Sequence, residues 1–323
     1  MLKTYSNAYR TPYLSDCMQP PLLAEAIGFI MDRGGSATFL AEVLPATRRF
    51  YEWLDRVRDP DRDGLVATLQ PDESGLDHTP KYDAYLGVEA ATEAEMTAAW
   101  ERVAGTYSLT GREPRQMFAA DRFVVEDVLV NTIYAESERV LAGLLRRVGD
   151  DAGAAEYEAR AAKTTRALLE KCLDPESGLF FDLAGNAERP LKVDTVSCLM
   201  PVLLPVTHPE VVERIAEAVE DPHRYGAPFP LPTVSMSEPA FSPCPVEARL
   251  VWRGTVWINT NWYVARGLRR HGRPDLAHRI EEASVALVER AGLREHFDPL
   301  SGEGHGARGF GWTALVLDMM AGW

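Results

Sequence analysis

Glu73-Ser74-Gly75-Leu76-Asp77-His78-Thr79-Pro80-Lys81-Tyr82-Asp83 holds three carboxylates, an aromatic ring, a glycine and a proline in one short span. Such a run makes a poor helix and a poor strand, because Gly and Pro interrupt both. It makes a good rigid loop, and loops held on a packed scaffold are where chemistry is placed. The segments around it read as helices. Apolar residues recur at three- and four-residue intervals from Leu22 to Met31, after Pro20-Pro21, and again from Phe39 to Val57. Thr92 to Val103 opens with Thr92 and Glu95, a capping-box pair. Two long helices are expected over about Phe123 to Val148 and Asp151 to Leu173, the second on the outside with one buried stripe. Val193 to Leu204 is more uniformly apolar than the other segments and suits an inner helix. Pro209 to Val219, Val256 to His271, Pro274 to Ala291 and Phe310 to Met320 bring the count to about ten helices, with almost no convincing strand.

A weak repeat accompanies the helices. Asp59-Pro60-Asp61-Arg62-Asp63-Gly64, Asp174-Pro175-Glu176-Ser177-Gly178 and Asp298-Pro299-Leu300-Ser301-Gly302 each follow a helical stretch. Pro presets one dihedral of a turn and Gly permits a positive one. Repeating turns after alternating polar and apolar helices predict a toroid of helix pairs. Its long connections, residues 70–90, 221–255 and 292–310, would share one mouth.

Composition narrows the function classes. The formal net charge of -14 argues against nucleic-acid or anionic-membrane partners, which need a basic surface. Cys17, Cys172, Cys198 and Cys244 are scattered, as reduced thiols of a cytoplasmic protein are. No signal-peptide core and no membrane-length apolar run is evident. Asp59-x-Asp61-x-Asp63-Gly64 imitates the start of a calcium loop, but its twelfth position is Gln70 rather than a bidentate Glu. The seven histidines show no metal-ligand spacing, so neither metal nor other cofactor is expected.

Two further stretches carry chemistry. Trp252-Arg253-Gly254-Thr255-Val256-Trp257-Ile258-Asn259-Thr260-Asn261-Trp262 combines rings that can stack on a sugar with Arg and Asn donors for its hydroxyls. Taken alone, three tryptophans in eleven residues are more readily read as filling a core. Arg294-Glu295-His296-Phe297-Asp298-Pro299-Leu300-Ser301-Gly302-Glu303-Gly304 runs on to Phe310-Gly311-Trp312-Thr313 and offers two candidate carboxylates.

Together with the Glu-Ser-Gly-x-Asp pattern of residues 73–77, these stretches resemble trehalases and the family 63 glycoside hydrolases, including bacterial hydrolases of mannosylglycerate and glucosylglycerate. Thr255 stands where that family usually has Pro. The resemblance implies an all-α (α/α)6 toroid spanning residues 1–323 as one catalytic domain, shortened at its N-terminal side. It implies an inverting α-glycosidase acting on a small α-glucoside or α-mannoside, with Asp77 as general acid and Glu295 as general base. Glu303 competes with Glu295 for the base and is otherwise a pocket residue. Glu73, Tyr82, Asp83, Trp252, Arg253, Trp257, Asn259, Asn261 and Trp312 are the implied sugar-binding and supporting residues. Within that set Glu73 is expected to lock its loop rather than react. The rival readings are a non-hydrolytic member that binds a sugar or a protein partner, and an epimerase, which would need paired histidines. A shortened toroid leaves an inner helix uncovered, which predicts a homodimer sealing the gap.

Overall fold

The computed structural model describes residues 17–89, 92–205, 208–244 and 250–322. Its helices are α1 (Leu23–Asp32), α2 (Ala37–Val57), α3 (Asp83–Leu86), α4 (Glu93–Leu109), α5 (Pro114–Ala120), α6 (Val128–Arg147), α7 (Asp151–Ala167), α8 (Pro209–Glu220), α9 (Ile258–Arg270), α10 (Pro274–Ala291) and α11 (Val316–Ala321). Its strands are β1 (Val125–Glu126), β2 (Asp182–Ala184), β3 (Arg189–Leu191), β4 (Arg294–Phe297) and β5 (Gly304–Arg308). These fall into two compact units. One comprises residues 17–75, 99–172 and 182–190; the other comprises 76–98, 173–181 and 191–322.

In the first unit α6 packs against α7 and α1. Every residue from Val128 to Glu138 is buried, as an inner helix requires, whereas α7 buries only a stripe that includes Ala154, Tyr157, Ala161 and Thr164. Both helices start on an Asp. The Asp127 carboxylate accepts from the Val130 N–H at 3.0 Å and Asp150 accepts from the Gly153 N–H at 2.9 Å, satisfying donors that a first turn leaves orphaned. The helix expected from Phe123 therefore begins later. Val125 is extended and exchanges two backbone hydrogen bonds with Thr68, and β1 pairs antiparallel with β2. The helix expected to run to Leu173 widens into a π turn at Leu168–Cys172.

The same unit gathers the carboxylates of Asp61, Asp63, Glu126 and Glu188, with ligand atoms all within 4.8 Å of one another. It is the turn whose spacing imitates a calcium loop, closed here by Glu126 and Glu188 and not by Gln70. The Lys171 ammonium supplies the positive charge, pairing with Asp63 and, at 2.7 Å, with Glu188. Burial, reinforced by the Asp63 charge, pushes the Glu126 carboxyl up to about 9. An acid whose native value is raised costs the fold nothing below the ordinary carboxylate range. The cost grows as pH climbs from there towards 9. Glu126→Gln is thus expected to stabilise the protein at pH 8 by roughly 1–3 kcal/mol and to be neutral near pH 4. Thermal melts at both values check the sign.

In the second unit α9 packs against α10 and against a stretch from Val196 to Leu203. That stretch is fully buried, as its uniform apolarity predicts, but it is a 3-10 helix and not the expected α-helix. Pro201 lies inside it, with no N–H to donate and a ring that crowds the preceding turn. Where α9 crosses it, a Cβ at Gly267 would lie 2.6 Å from the Val202 backbone, so only glycine fits. The chain enters α9 at Ile258 rather than Val256, because Val256 bridges both Pro232 and Phe297. The last helix likewise opens as 3-10 turns over Gly311–Leu315.

The Asp-Pro turns at 174–178 and 298–302 are built alike. In each the Asp carboxylate accepts a backbone N–H, from Ser177 or from Leu300 and Ser301. In each the Gly N–H bonds back to the Asp carbonyl, at 2.8 and 2.9 Å. The second turn closes a hairpin, β4 with β5, where the sequence suggests only a loop.

Candidate active site

All of Asp77, Tyr82, Asp83, Trp252, Arg253, Trp257, Asn259, Asn261, Glu295, Glu303 and Trp312 belong to the second unit, while Glu73 belongs to the first. Glu73 is fully buried and its carboxylate accepts from four donors. Two are Arg58 guanidinium nitrogens, at 2.8 and 2.7 Å; the others are the Met18 and Leu69 N–H groups, at 3.0 and 2.6 Å. No lone pair is left for a ligand to compete for, so the residue anchors its loop. Gly75 follows at φ 75 as the left-handed end of the 3-10 turn Pro71–Ser74.

Asp77 is half-buried, and burial pushes its carboxyl up to about 6, against the opposing pull of its own backbone N–H. A carboxyl raised in this way keeps its proton to a higher pH than an ordinary Asp and can serve as an acid in mildly acidic solution. Farther along, the Lys81 ammonium donates to the Ser197 hydroxyl at 2.9 Å and lies 5.2 Å from the Tyr82 ring centre. Tyr82 is 1% exposed, so it acts from beneath the surface. Asp83 accepts both forks of the Arg253 guanidinium, at 2.8 and 2.6 Å. Burial raises the Asp83 carboxyl, and Arg253 opposes that shift.

The tryptophan segment is knitted by the residue that departs from the family pattern. The Thr255 hydroxyl donates to the Val251 carbonyl at 2.5 Å and accepts from the Trp257 indole N–H at 3.1 Å. Gly254 takes φ 144, and a Cβ there would meet Phe241 at 2.7 Å. Trp252 and Trp257 stack face to face at 3.8 Å, and the Trp257 ring meets Trp312 at 5.9 Å and His296 at 5.5 Å. Trp252 and Trp257 are 2% and 3% exposed, whereas Trp312 is 45% exposed. The first two form the floor of an aromatic cluster, and Trp312 presents its accessible face.

The two asparagines of α9 diverge, since neighbours two apart face different sides of a helix. The Asn261 side chain is spent on protein. It accepts from the Leu231 N–H at 3.0 Å and donates to the Pro230 carbonyl at 2.7 Å and the Ser284 hydroxyl at 3.0 Å. Asn259 is half-buried, and its Oδ1 has no partner among the described residues.

Glu295 lies on β4, half-buried, with its Oε2 accepting from the Ala307 N–H of β5 at 2.8 Å. Glu303 is exposed at the hairpin turn and lines a cavity of about 750 Å³. The sequence reading missed His296 and His305, which meet across the hairpin with ring centres 5.8 Å apart. Burial, with the nearby His305 and Arg294 charges, lowers His296 to about 4, so it is neutral at ordinary pH. Its Nδ1 is buried without a partner among the described residues. Their pairing depends on strand register, which metal-ligand spacing does not reveal.

Residues 4–313 match the family model of the mannosylglycerate hydrolase MGH1-like glycoside hydrolase domain. The mannosylglycerate hydrolase of Thermus thermophilus is 31% identical over 96% of this chain and 78% of its own length. The glucosylglycerate hydrolase of Mycolicibacterium hassiacum is 25% identical over 97% of the chain and 77% of its own length. A crystal structure of the Thermus family 63 mannosylglycerate hydrolase with glucose superposes with a TM-score of 0.85, covering 95% of this chain and 76% of that one, at 31% identity. The fold class is the all-α (α/α)6 toroid of these neighbours. No helix among the described residues is long and apolar enough to cross a membrane.

Proposed function

The chain belongs to the mannosylglycerate hydrolase MGH1-like family of glycoside hydrolases, and from that premise we propose that it is an inverting α-glycosidase hydrolysing a small α-mannoside or α-glucoside, mannosylglycerate or glucosylglycerate foremost. The observation that carries this reading is the half-buried carboxyl of Asp77, raised to about 6 by burial, in the Glu-Ser-Gly-x-Asp loop. Asp77 gives its proton to the glycosidic oxygen as the bond to the anomeric carbon breaks. A water attacks the opposite face of that carbon, and Glu295 takes the proton that the water loses. The pair must stand about 6.5–9.5 Å apart to admit the water. Glycerate and a sugar of inverted anomeric configuration leave. No metal or redox group is needed to balance these steps.

In this reading Trp312 offers the ring on which the sugar stacks, over the Trp252–Trp257 floor. The open Asn259 Oδ1 and the Asp83–Arg253 pair supply polar contacts to the hydroxyls. Glu73 anchors its own loop, and Tyr82 and Asn261 serve as buried supporting residues. The whole chain serves as one catalytic domain. The test is a hydrolysis screen with α-mannosylglycerate, α-glucosylglycerate and trehalose, with the released anomer followed by NMR. Initial release of the β-anomer is expected. Release of the α-anomer would overturn inversion, and no turnover on any of the three would favour a sugar-binding, non-hydrolytic member.

Leu317 and Met320 of α11 are 66% and 63% exposed, and such apolar surface is commonly covered by a partner. A homodimer that covers the shortened side of the toroid is expected in sedimentation. A compact monomer at micromolar concentration would remove it.

A further inference from the structure

Three arginines without a carboxylate partner among the described residues line one cavity. Arg290 lies in the last turn of α10, Arg294 begins β4 and Arg308 ends β5. None has an ion-pair partner among the described residues, although all line the cavity of about 750 Å³. The only carboxylate in that lining is the exposed Glu303.

Three details mark this as a prepared site rather than a surface accident. Arg294 and Arg308 are direct cross-strand partners in the hairpin register, and like charges placed opposite one another destabilise a ladder. The Arg294 Nε is buried with no hydrogen-bond partner among the described residues, so its guanidinium is only partly compensated by protein. A Cβ at Gly304 would lie 2.4 Å from the Arg294 Cγ and 2.8 Å from the Ala291 Cβ, so glycine leaves the room in which the arginine stem is packed. Small-ligand pockets run from about 300 to 1,000 Å³, and this cavity lies within that range.

We propose that the cavity between the end of α10 and the β4–β5 hairpin is a binding site for a small organic anion that presents a carboxylate or phosphate to Arg290, Arg294 and Arg308. A planar guanidinium matches either oxyanion with paired N–H donors, and an uncharged sugar would leave the repulsion between the arginines unrelieved. The position gives occupancy a consequence. Arg294 precedes Glu295, and Arg308 follows Ala307, whose N–H holds the Glu295 carboxylate. An anion bridging the two guanidiniums draws β4 and β5 together at the rung that positions Glu295. This second half rests on the proposed role of Glu295; the binding itself does not.

Titration calorimetry on the full chain with sodium D-glycerate and with inorganic phosphate tests the site, against sodium chloride at equal ionic strength and glycerol as the uncharged control. At least one oxyanion is expected to bind saturably where the controls do not. Glycerate alone would identify a carboxylate ligand, phosphate alone a phosphorylated one, and both a general oxyanion site. Arg308→Gln should weaken binding at least tenfold. Arg290→Gln, on an exposed helical turn that tolerates change, should weaken it severalfold without unfolding. Glu295→Gln keeps an acceptor for the Ala307 N–H and should change binding far less than either arginine variant. Exchange of the Ala307 amide should slow on saturation in the parent but not in Arg308→Gln. No binding beyond the controls, or affinity unchanged in both arginine variants, would overturn the site. Full turnover in Glu295→Gln with anion binding intact would instead remove the role assigned to Glu295 and leave the site standing.

Discussion

Asp77→Asn is expected to lower kcat on an α-glycosylglycerate by about 10²–10⁴-fold, the usual worth of a positioned general acid. The amide keeps the shape of the side chain and cannot give up a proton, so the departing alkoxide goes unassisted. An α-glycosyl fluoride leaves as fluoride with much less need of a proton, and on that substrate the variant should lose far less. Glu295→Gln should fail on both, because the water still has to be activated. Since burial raises Asp77 to about 6, its acid form declines above that pH, and kcat/KM of the parent should fall on the alkaline side. That limb should vanish in Asp77→Asn. Stability should move the other way. A carboxyl whose native value lies above its unfolded one costs the fold free energy from the ordinary carboxylate range upward. The variant should therefore melt no lower than the parent at pH 7, as expected where function keeps a strained group. Turnover within tenfold of the parent at pH 6 would sink the assignment.

Glu73→Ala should produce the largest loss of stability in the loop, about 3–5 kcal/mol, because it breaks a buried ion pair from one side only. Arg58 is 4% exposed and would keep its charge with, among the described residues, only the Ala67 carbonyl at 3.4 Å as a remaining acceptor. The Met18 and Leu69 N–H groups would also lose their acceptor. Denaturant titration should show a lower midpoint with an unchanged slope, since the surface exposed on unfolding is the same. If the midpoint held while KM rose, Glu73 would be touching substrate and its reading as an anchor would be wrong.

Much of the molecule can be read locally, because local chemistry decides it. Ser36, Asp127 and Asp150 cap helices with their own side chains, and the two like-built Asp-Pro turns repeat because Asp, Pro and Gly act within five residues. The loop of residues 73–83 and the tryptophan segment announce the family by residue type alone. What the sequence could not determine is whatever depends on groups distant along the chain. Asp83 meets Arg253 from 170 residues away, and Glu126 and Glu188 close a cluster that begins at Asp61. Only packing buries Trp252 and Trp257 while leaving Trp312 open, and only helix phase turns Asn261 inward and leaves the Asn259 oxygen unpartnered. Strand register, set by which backbone groups pair, brings His296 against His305 and Arg294 against Arg308. The sequence thus determined the helices, the turns and the chemical inventory, since these follow from neighbours a few residues apart. The tertiary structure decided which groups of that inventory are sealed, paired or left open, because burial and partnership belong to the folded chain and not to any one segment of it.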